Sequence, residues 1–214
     1  MDKKHIIYLV FLVLITWGCN RDNHDSSGSN ININLLADST SHYWQPAPYN
    51  LGQFTITNDT LFIAPAERGL SGVMWTGKVP AVNYQLTCRA MRTEGTDFFA
   101  GITFPVKNTW CTWIIGGWDG TVVGLSNIDW SPASENITTC HKNFNNHQGY
   151  DLELTVTDHL ITARIDNELM FELDYTGHTL SLHNLMENGQ GLGLATWKTG
   201  AAYTNLNLRG LSVQ

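Results

Sequence analysis

Aromatic rings and carboxylates are interleaved in one stretch of this 214-residue chain, Trp110 to Asn136, WCTWIIGGWDGTVVGLSNIDWSPASEN. Four of the eight tryptophans lie inside it (Trp110, Trp113, Trp118 and Trp130), together with Asp119, Asp129 and Glu135. A ring can stack on the C–H face of a sugar while a carboxylate accepts hydrogen bonds from neighbouring hydroxyls, so this composition suits a carbohydrate-handling surface. Trp118 and Asp119 stand in a glycine-rich turn with Gly116, Gly117 and Gly120, from which ring and carboxylate can project together. The plain alternative there is a turn closed by Asp119 with Trp118 packed beneath it. Asp129 and Glu135 flank Trp130 and Pro132 in a loop, and with Asp119 they are the candidates for a catalytic acid or base. Trp130, Asn136 and His141 join Trp118 as candidate sugar contacts, with an edge-strand histidine as the structural alternative for His141.

The elements that must position these residues read as short strands. Trp110, Thr112 and Ile114 share one face of a strand and Cys111, Trp113 and Ile115 the other, so at least one of Trp110 and Trp113 is expected in the core. Phe54, Ile56, Leu61 and Ile63 alternate around an Asn58-Asp59 turn, which predicts a hairpin over 53–63. Tyr84, Leu86, Cys88 and Ala90 share a face of a long strand, and Phe98–Phe104 is the next one. Residues 150–174 alternate through turns at Asp158-His159 and Asp166-Asn167, a three-strand antiparallel meander that places Arg164 on its polar face, in a salt bridge. Leu192–Trp197 and Tyr203–Leu211 supply two closing strands, Trp197 is expected to pack in the core, and Thr138 and Thr139 are expected to continue into the strand that carries His141 and Lys142. No long helical periodicity interrupts this pattern, which is that of an all-β sandwich.

The net charge of −7, from 12 Lys and Arg against 19 Asp and Glu, opposes a nucleic-acid partner, which needs a basic face. At the N-terminus, Lys3 and Lys4 precede an apolar run from Ile6 to Ile15, then Gly18 and Cys19, the layout of an export signal. The run is too short to span a bilayer, which takes about 20 residues. Gly18-Cys19 resembles the lipobox of bacterial lipoproteins, which implies cleavage after residue 18 and lipid on Cys19, the membrane contact of a bacterial cell-envelope protein. Residues 1–18 are then a signal peptide, 19–31 a polar flexible tether and 32–214 one domain. Cys88, Cys111 and Cys140 read as strand residues, an odd set that permits one disulfide at most. No cofactor motif is present. Calcium is the one candidate ion, with Asp119 and Asp129 as oxygen donors, although no loop has acidic residues at calcium-binding spacing.

The meander YDLELTVTDHLITARIDNELMFEL looks like the strands shared by concanavalin A-like lectin and glucanase domains. GGWDGTVVGLSNIDWSPASEN, followed by LGLATWKTGAAYTNLNLRGL, resembles the family of 3-keto-disaccharide hydrolase domains, over about residues 40–211. The resemblance implies an all-β, two-sheet antiparallel jelly-roll sandwich whose concave face holds carbohydrate and which, in some members, cleaves 3-keto glycosides. The paired-carboxylate signature of the glucanases is missing, which opposes a direct retaining mechanism. Two functions stay open: an enzyme acting on glycosides or their 3-keto forms, and a non-catalytic cell-surface glycan-binding module. Convergence of Asp119, Asp129 and Glu135 in one cleft would favour the first, and scattered carboxylates the second.

Overall fold

A computed structural model describes residues 31–212. The leader, Cys19 and the tether as far as Asn30 lie outside the described residues. The strands are β1 (Asn32–Asn34), β2 (Trp44–Pro46), β3 (Phe54–Thr57), β4 (Thr60–Ile63), β5 (Leu70–Trp75), β6 (Tyr84–Glu94), β7 (Ala100–Val106), β8 (Thr109–Gly117), β9 (Val122–Ser126), β10 (Cys140–His141), β11 (Gly149–Val156), β12 (Leu160–Ile165), β13 (Glu168–Asp174), β14 (Leu192–Trp197) and β15 (Gly200–Gly210). Two antiparallel sheets result. The first runs β13-β12-β11-β6-β15-β4-β3, with β1 also on β15, and the second runs β10-β9-β8-β7-β14-β5-β2. Stacked face to face, they form a jelly-roll sandwich.

Period-2 alternation builds the core between the sheets. Tyr84, Leu86, Cys88 and Ala90 of β6 face it from one sheet, and Cys111, Trp113 and Ile115 of β8 from the other. Trp113 is wholly buried and meets Phe171 of β13 edge-on, with ring centroids 6.3 Å apart. Two buried tyrosines tie the sheets together: the Tyr84 hydroxyl donates to the Pro105 carbonyl at 2.6 Å and that of Tyr203 to the Phe99 carbonyl at 2.7 Å. Each hydroxyl is thereby satisfied inside the apolar layer, where an unpaired one is costly.

The hairpin and the meander form as expected. Asn58-Asp59 and Asp166-Asn167 both take left-handed backbone (φ 49 and 55°, 52 and 66°), the conformation of two-residue turns that match strand twist. Other expectations need correction. The strand after Asp97 begins at Ala100 and runs to Val106. Thr138 and Thr139 form a turn, because the Asn136 side chain accepts from both the amide and the hydroxyl of Thr138 and holds it out of any ladder. Strand β10 therefore spans only Cys140–His141, and Lys142 instead pairs with Glu168 at 2.6 Å. Arg164 has no salt-bridge partner among the described residues and donates to the Asn167 carbonyl at 3.1 Å. Cys88, Cys111 and Cys140 sit on strands as expected, and all three are free thiols.

Candidate functional site

The second sheet's outer face carries the side chains that alternate away from the core. Across it, at one level, run Gly72, Ala195, Gly101, Ile114 and Gly124 from β5, β14, β7, β8 and β9. Three glycines and an alanine at this level leave a trough transverse to the strands, with Ile114 on its floor. Above its β7–β8 portion lies a cavity of about 220 Å³. Ile114 and Ser126 contribute from the strands, and Leu70 and Trp197 from the adjoining level. Asp97 and Phe98 enter from the turn before β7, Trp118 from the β8–β9 hairpin, and His183, Leu185 and Met186 from the segment that crosses the face between β13 and β14. The volume is below the roughly 300–1,000 Å³ of drug-sized sites, which suits a ligand of one or two rings.

Hydrogen bonding at three places sets this geometry. At the first, Gly120 has φ 103°, and a Cβ there would lie 2.5 Å from the Thr96 carbonyl oxygen, so glycine is what lets the β8–β9 hairpin close onto the Asp97 turn. Trp118 and Asp119 complete that hairpin in left-handed backbone (φ 48 and 65°), unusual for a bulky ring, and Trp118 is left 46% exposed at the cavity rim. At the second, Arg92 is buried beneath the turn. It donates to the carbonyls of Thr96 (3.1 Å), Asp97 (3.4 Å) and Phe144 (2.6 Å) and to Asn146 Oδ1 (2.6 Å). At the third, residues 179–182 run alongside Asn127–Asp129: Asn127 and Ser181 exchange backbone hydrogen bonds, and the Asn127 amide donates to the Leu182 carbonyl at 3.3 Å. The crossing segment thus reaches the cavity paired to Asn127–Asp129 through the isolated Ile128–Leu180 bridge, then turns through one 3-10 turn at Asn184–Met186.

Asp97 is the only carboxylate among the described residues that line the cavity. Its Oδ1 accepts from the Phe98 amide at 2.7 Å. Its pKa is raised: burial is the main cause, the Phe98 amide opposes it, the nearby Asp119 carboxylate adds to it, and the Trp118 and Asp119 amides oppose it. His183 accepts from the Leu185 amide through Nδ1 at 3.3 Å, so Nε2 is the ring nitrogen that carries the N–H. A half-buried carboxylate, an imidazole N–H and aromatic walls therefore share one small space.

Of the residues singled out in the sequence, Trp118 lines this cavity, and Asp119 lies next to it, near enough to raise Asp97. Asp129 and Trp130 stand beyond the far end of β9, which places Asp129 roughly 15 Å or more from Asp119 by the strand rise alone. The Asp129 carboxylate accepts from His178 at 2.7 Å and from the Thr179 amide at 2.8 Å. The Thr179 amide first, and His178 second, lower its pKa. Trp130 is 78% exposed, in a tight turn closed by the Ile128–Ser131 bridge. Glu135 is exposed on the loop that Asn136 organises. The Asn136 amide donates to the carbonyls of Leu125, Ser131 and Pro132, and its oxygen accepts from Thr138. His141 is exposed at the sheet edge beside Thr121. Asp119, Asp129 and Glu135 therefore do not meet in one cleft, and among the described residues no group of three or more His, Cys, Asp or Glu gathers as a metal site would. Trp197, expected in the core, instead lies half-buried on the outer face with Leu70, Met186 and Ala195.

Asp97, Phe98 and His183 were not singled out in the sequence. Phe98 reads there only as the first residue of a strand and Asp97 as the residue before it, and HNLMEN has no periodicity that assigns it to a face. What makes them a site is their meeting with residues distant in the chain.

No protein-family model matches the chain, and no curated protein matches it. Solved structures do resemble it. A structure of Crh5 transglycosylase in complex with NAG superposes with a TM-score of 0.61 at 12% identity, over 86% of this chain and 85% of that one. A Bacillus subtilis protein of unknown function with a galectin-like fold gives 0.60 at 10% identity, over 84% and 94%. The carbohydrate-binding module CBM66, also from Bacillus subtilis, gives 0.50 at 12% identity, over 78% and 96%. At these identities the similarity is one of fold, the two-sheet jelly roll.

Proposed function

We propose that this domain binds carbohydrate in the cavity on the outer face of its second sheet. One observation carries the reading: Trp118, Trp197 and Phe98 surround a space of about one or two rings in which Asp97 is the single carboxylate. A sugar stacked there presents hydroxyls to Asp97, Ser126 and the His183 N–H, while its C–H faces cover apolar surface. Ordinary glycoside hydrolysis uses two carboxylates on either side of the scissile bond, about 5–5.5 Å apart for retention and more for inversion. The cavity supplies one, which favours binding over direct hydrolysis. The leader and Cys19 support delivery to the bacterial cell envelope and a lipid anchor, which makes the domain a tethered receptor for glycans outside the cytoplasm.

A second reading, cleavage of 3-keto glycosides, rests on Asp97 and His183 facing the same space. A ketone at C3 acidifies the C2 proton, so one base suffices: Asp97 takes that proton, the C1–O bond breaks, and the departing oxygen, hydrogen-bonded by the His183 N–H, takes a proton from water. The hydroxide left by that water adds to C1 and Asp97 returns its proton to C2, which completes the hydrolysis.

Both readings meet in one experiment with the purified domain, tested for retention on immobilised oligosaccharides and for turnover of glycosides and 3-keto glycosides. Trp118→Ala is expected to weaken retention at least about fivefold, a loss of about 1 kcal/mol of stacking. Retention of every glycan at the parent level would remove Trp118 from the site. Turnover of a 3-keto glycoside that Asp97→Asn abolishes would decide for the enzyme.

A further inference from the structure

The trough that holds the cavity crosses the whole sheet, but it is open only in its middle. At the β5 end, Tyr49 lies across it. A Cβ at Gly72 would sit 2.8 Å from Tyr49 Cε2, and one at Gly189, in the crossing segment, 2.4 Å from Tyr49 Cε1. Two glycines from distant parts of the chain thus make room for one ring, which packs with Leu70, Met186 and Ala195. Among the described residues the buried Tyr49 hydroxyl has no hydrogen-bond partner of good geometry, although Thr103 of β7 is close enough to oppose the rise that burial imposes on its pKa. At the β9 end, a Cβ on Gly124 would lie 3.0 Å from the Ala133 carbonyl oxygen and 3.2 Å from that of Thr138, so the loop that Asn136 organises rests directly on the trough floor.

A polysaccharide lying along a sheet needs a groove open at both ends. This trough is stopped by a tyrosine at one end and by loop backbone at the other, with a cavity of about 220 Å³ between them. We infer that the site takes the terminal residue of a glycan, or a free mono- or disaccharide, end-on, and rejects the interior of a chain, with Tyr49 as the residue that sets this limit. The inference rests on the carbohydrate reading above.

Chain length tests it on the unmodified domain. A family of glycans that the parent retains is offered as linear oligomers of one to six units and as cyclic oligomers of the same sugar. Affinity is expected to level off by two units, with less than about a twofold gain from two to six, and the cyclic forms are not retained. An affinity still rising about tenfold or more towards six units, or retention of the cyclic oligomers, would overturn the end-on mode and leave glycan binding standing. Failure to retain any glycan would overturn both. Tyr49→Ala opens the β5 end and is expected to move the plateau to longer oligomers. A folded Tyr49→Ala domain with the parent's plateau would show that Tyr49 does not set the limit.

Discussion

Asp97 illustrates what single residues contribute here and what the sequence hides about them. Its position before an apolar strand is visible in the chain, but its environment is built by Trp118, Asp119 and Thr199, which no local pattern connects to it. Burial raises its pKa in the folded state, whereas in the unfolded chain it titrates near 3.9. Protonated Asp97 is therefore the form the fold tolerates best. The associated stability is complete below the unfolded value and is lost as pH rises through the folded one. An asparagine in its place would not titrate and would keep an oxygen for the Phe98 amide. Asp97→Asn should therefore gain thermal stability relative to the parent as pH rises from about 4 to 8, while its glycan retention falls. A melting-temperature difference that is flat across this range would show that the Asp97 carboxyl is not destabilised when ionised. Trp118 was legible because its ring stands in a glycine-rich turn. Asp129 and Trp130 shared its composition but belong to the opposite end of β9, and Glu135 stands exposed on the loop that covers that strand.

Among the elements, the cleanest alternation in the sequence belongs to the strands with one wet face, while β7 and β14, buried on both faces, were expected only as apolar runs. The meander β11–β13 alternates apolar and polar residues because its outer face meets solvent, and the hairpin β3–β4 does so around its two-residue turn. Strands β5 and β9 gave no such signal, and their burial explains why. All five residues of β9 are buried, since the loop at 131–139 covers its outer face, and β5 lies under Tyr49. A strand covered on both faces loses its period of two, and glycine at Gly72 and Gly124 weakens its propensity further. Strand β8 kept its alternation, which put Trp110 and Trp113 on opposite faces, and the structure makes Trp113 the core one. Trp113→Ala empties a fully enclosed volume between β8 and β13, so it should cost about 3–5 kcal/mol in urea unfolding. A loss under about 1 kcal/mol would mean that the two sheets can close over the gap.

At the scale of the whole molecule, the alternation of hydrophobic residues is enough to specify two stacked sheets, but not which segments fold back over the second one. That decision lies in contacts between positions far apart in sequence: Tyr49 with Gly72 and Gly189, Asn127 with Ser181, and Gly120 with Thr96. These contacts turn a general jelly roll into one with a small, stoppered cavity, and none of them has a local signature. The sandwich also accounts for the three thiols. Cys88 and Cys111 are buried, and burial pushes both up to about 12; Cys140, half-buried, is raised in the same direction. Thiolate is the nucleophile in disulfide exchange and in alkylation, so near neutral pH Cys88 and Cys111 are almost inert. A maleimide reagent should leave them untouched in the folded domain and label them once it is unfolded, with Cys140 reacting at an intermediate rate; rapid native labelling of Cys88 or Cys111 would contradict their enclosure. A jelly roll with no disulfide among its described residues can thus persist in an oxidising compartment, its sulfur chemistry suspended by the same apolar layer that holds the sheets together. In the unfolded protein, the number of labelled sulfurs, three or four, reports whether Cys19 is already capped by lipid.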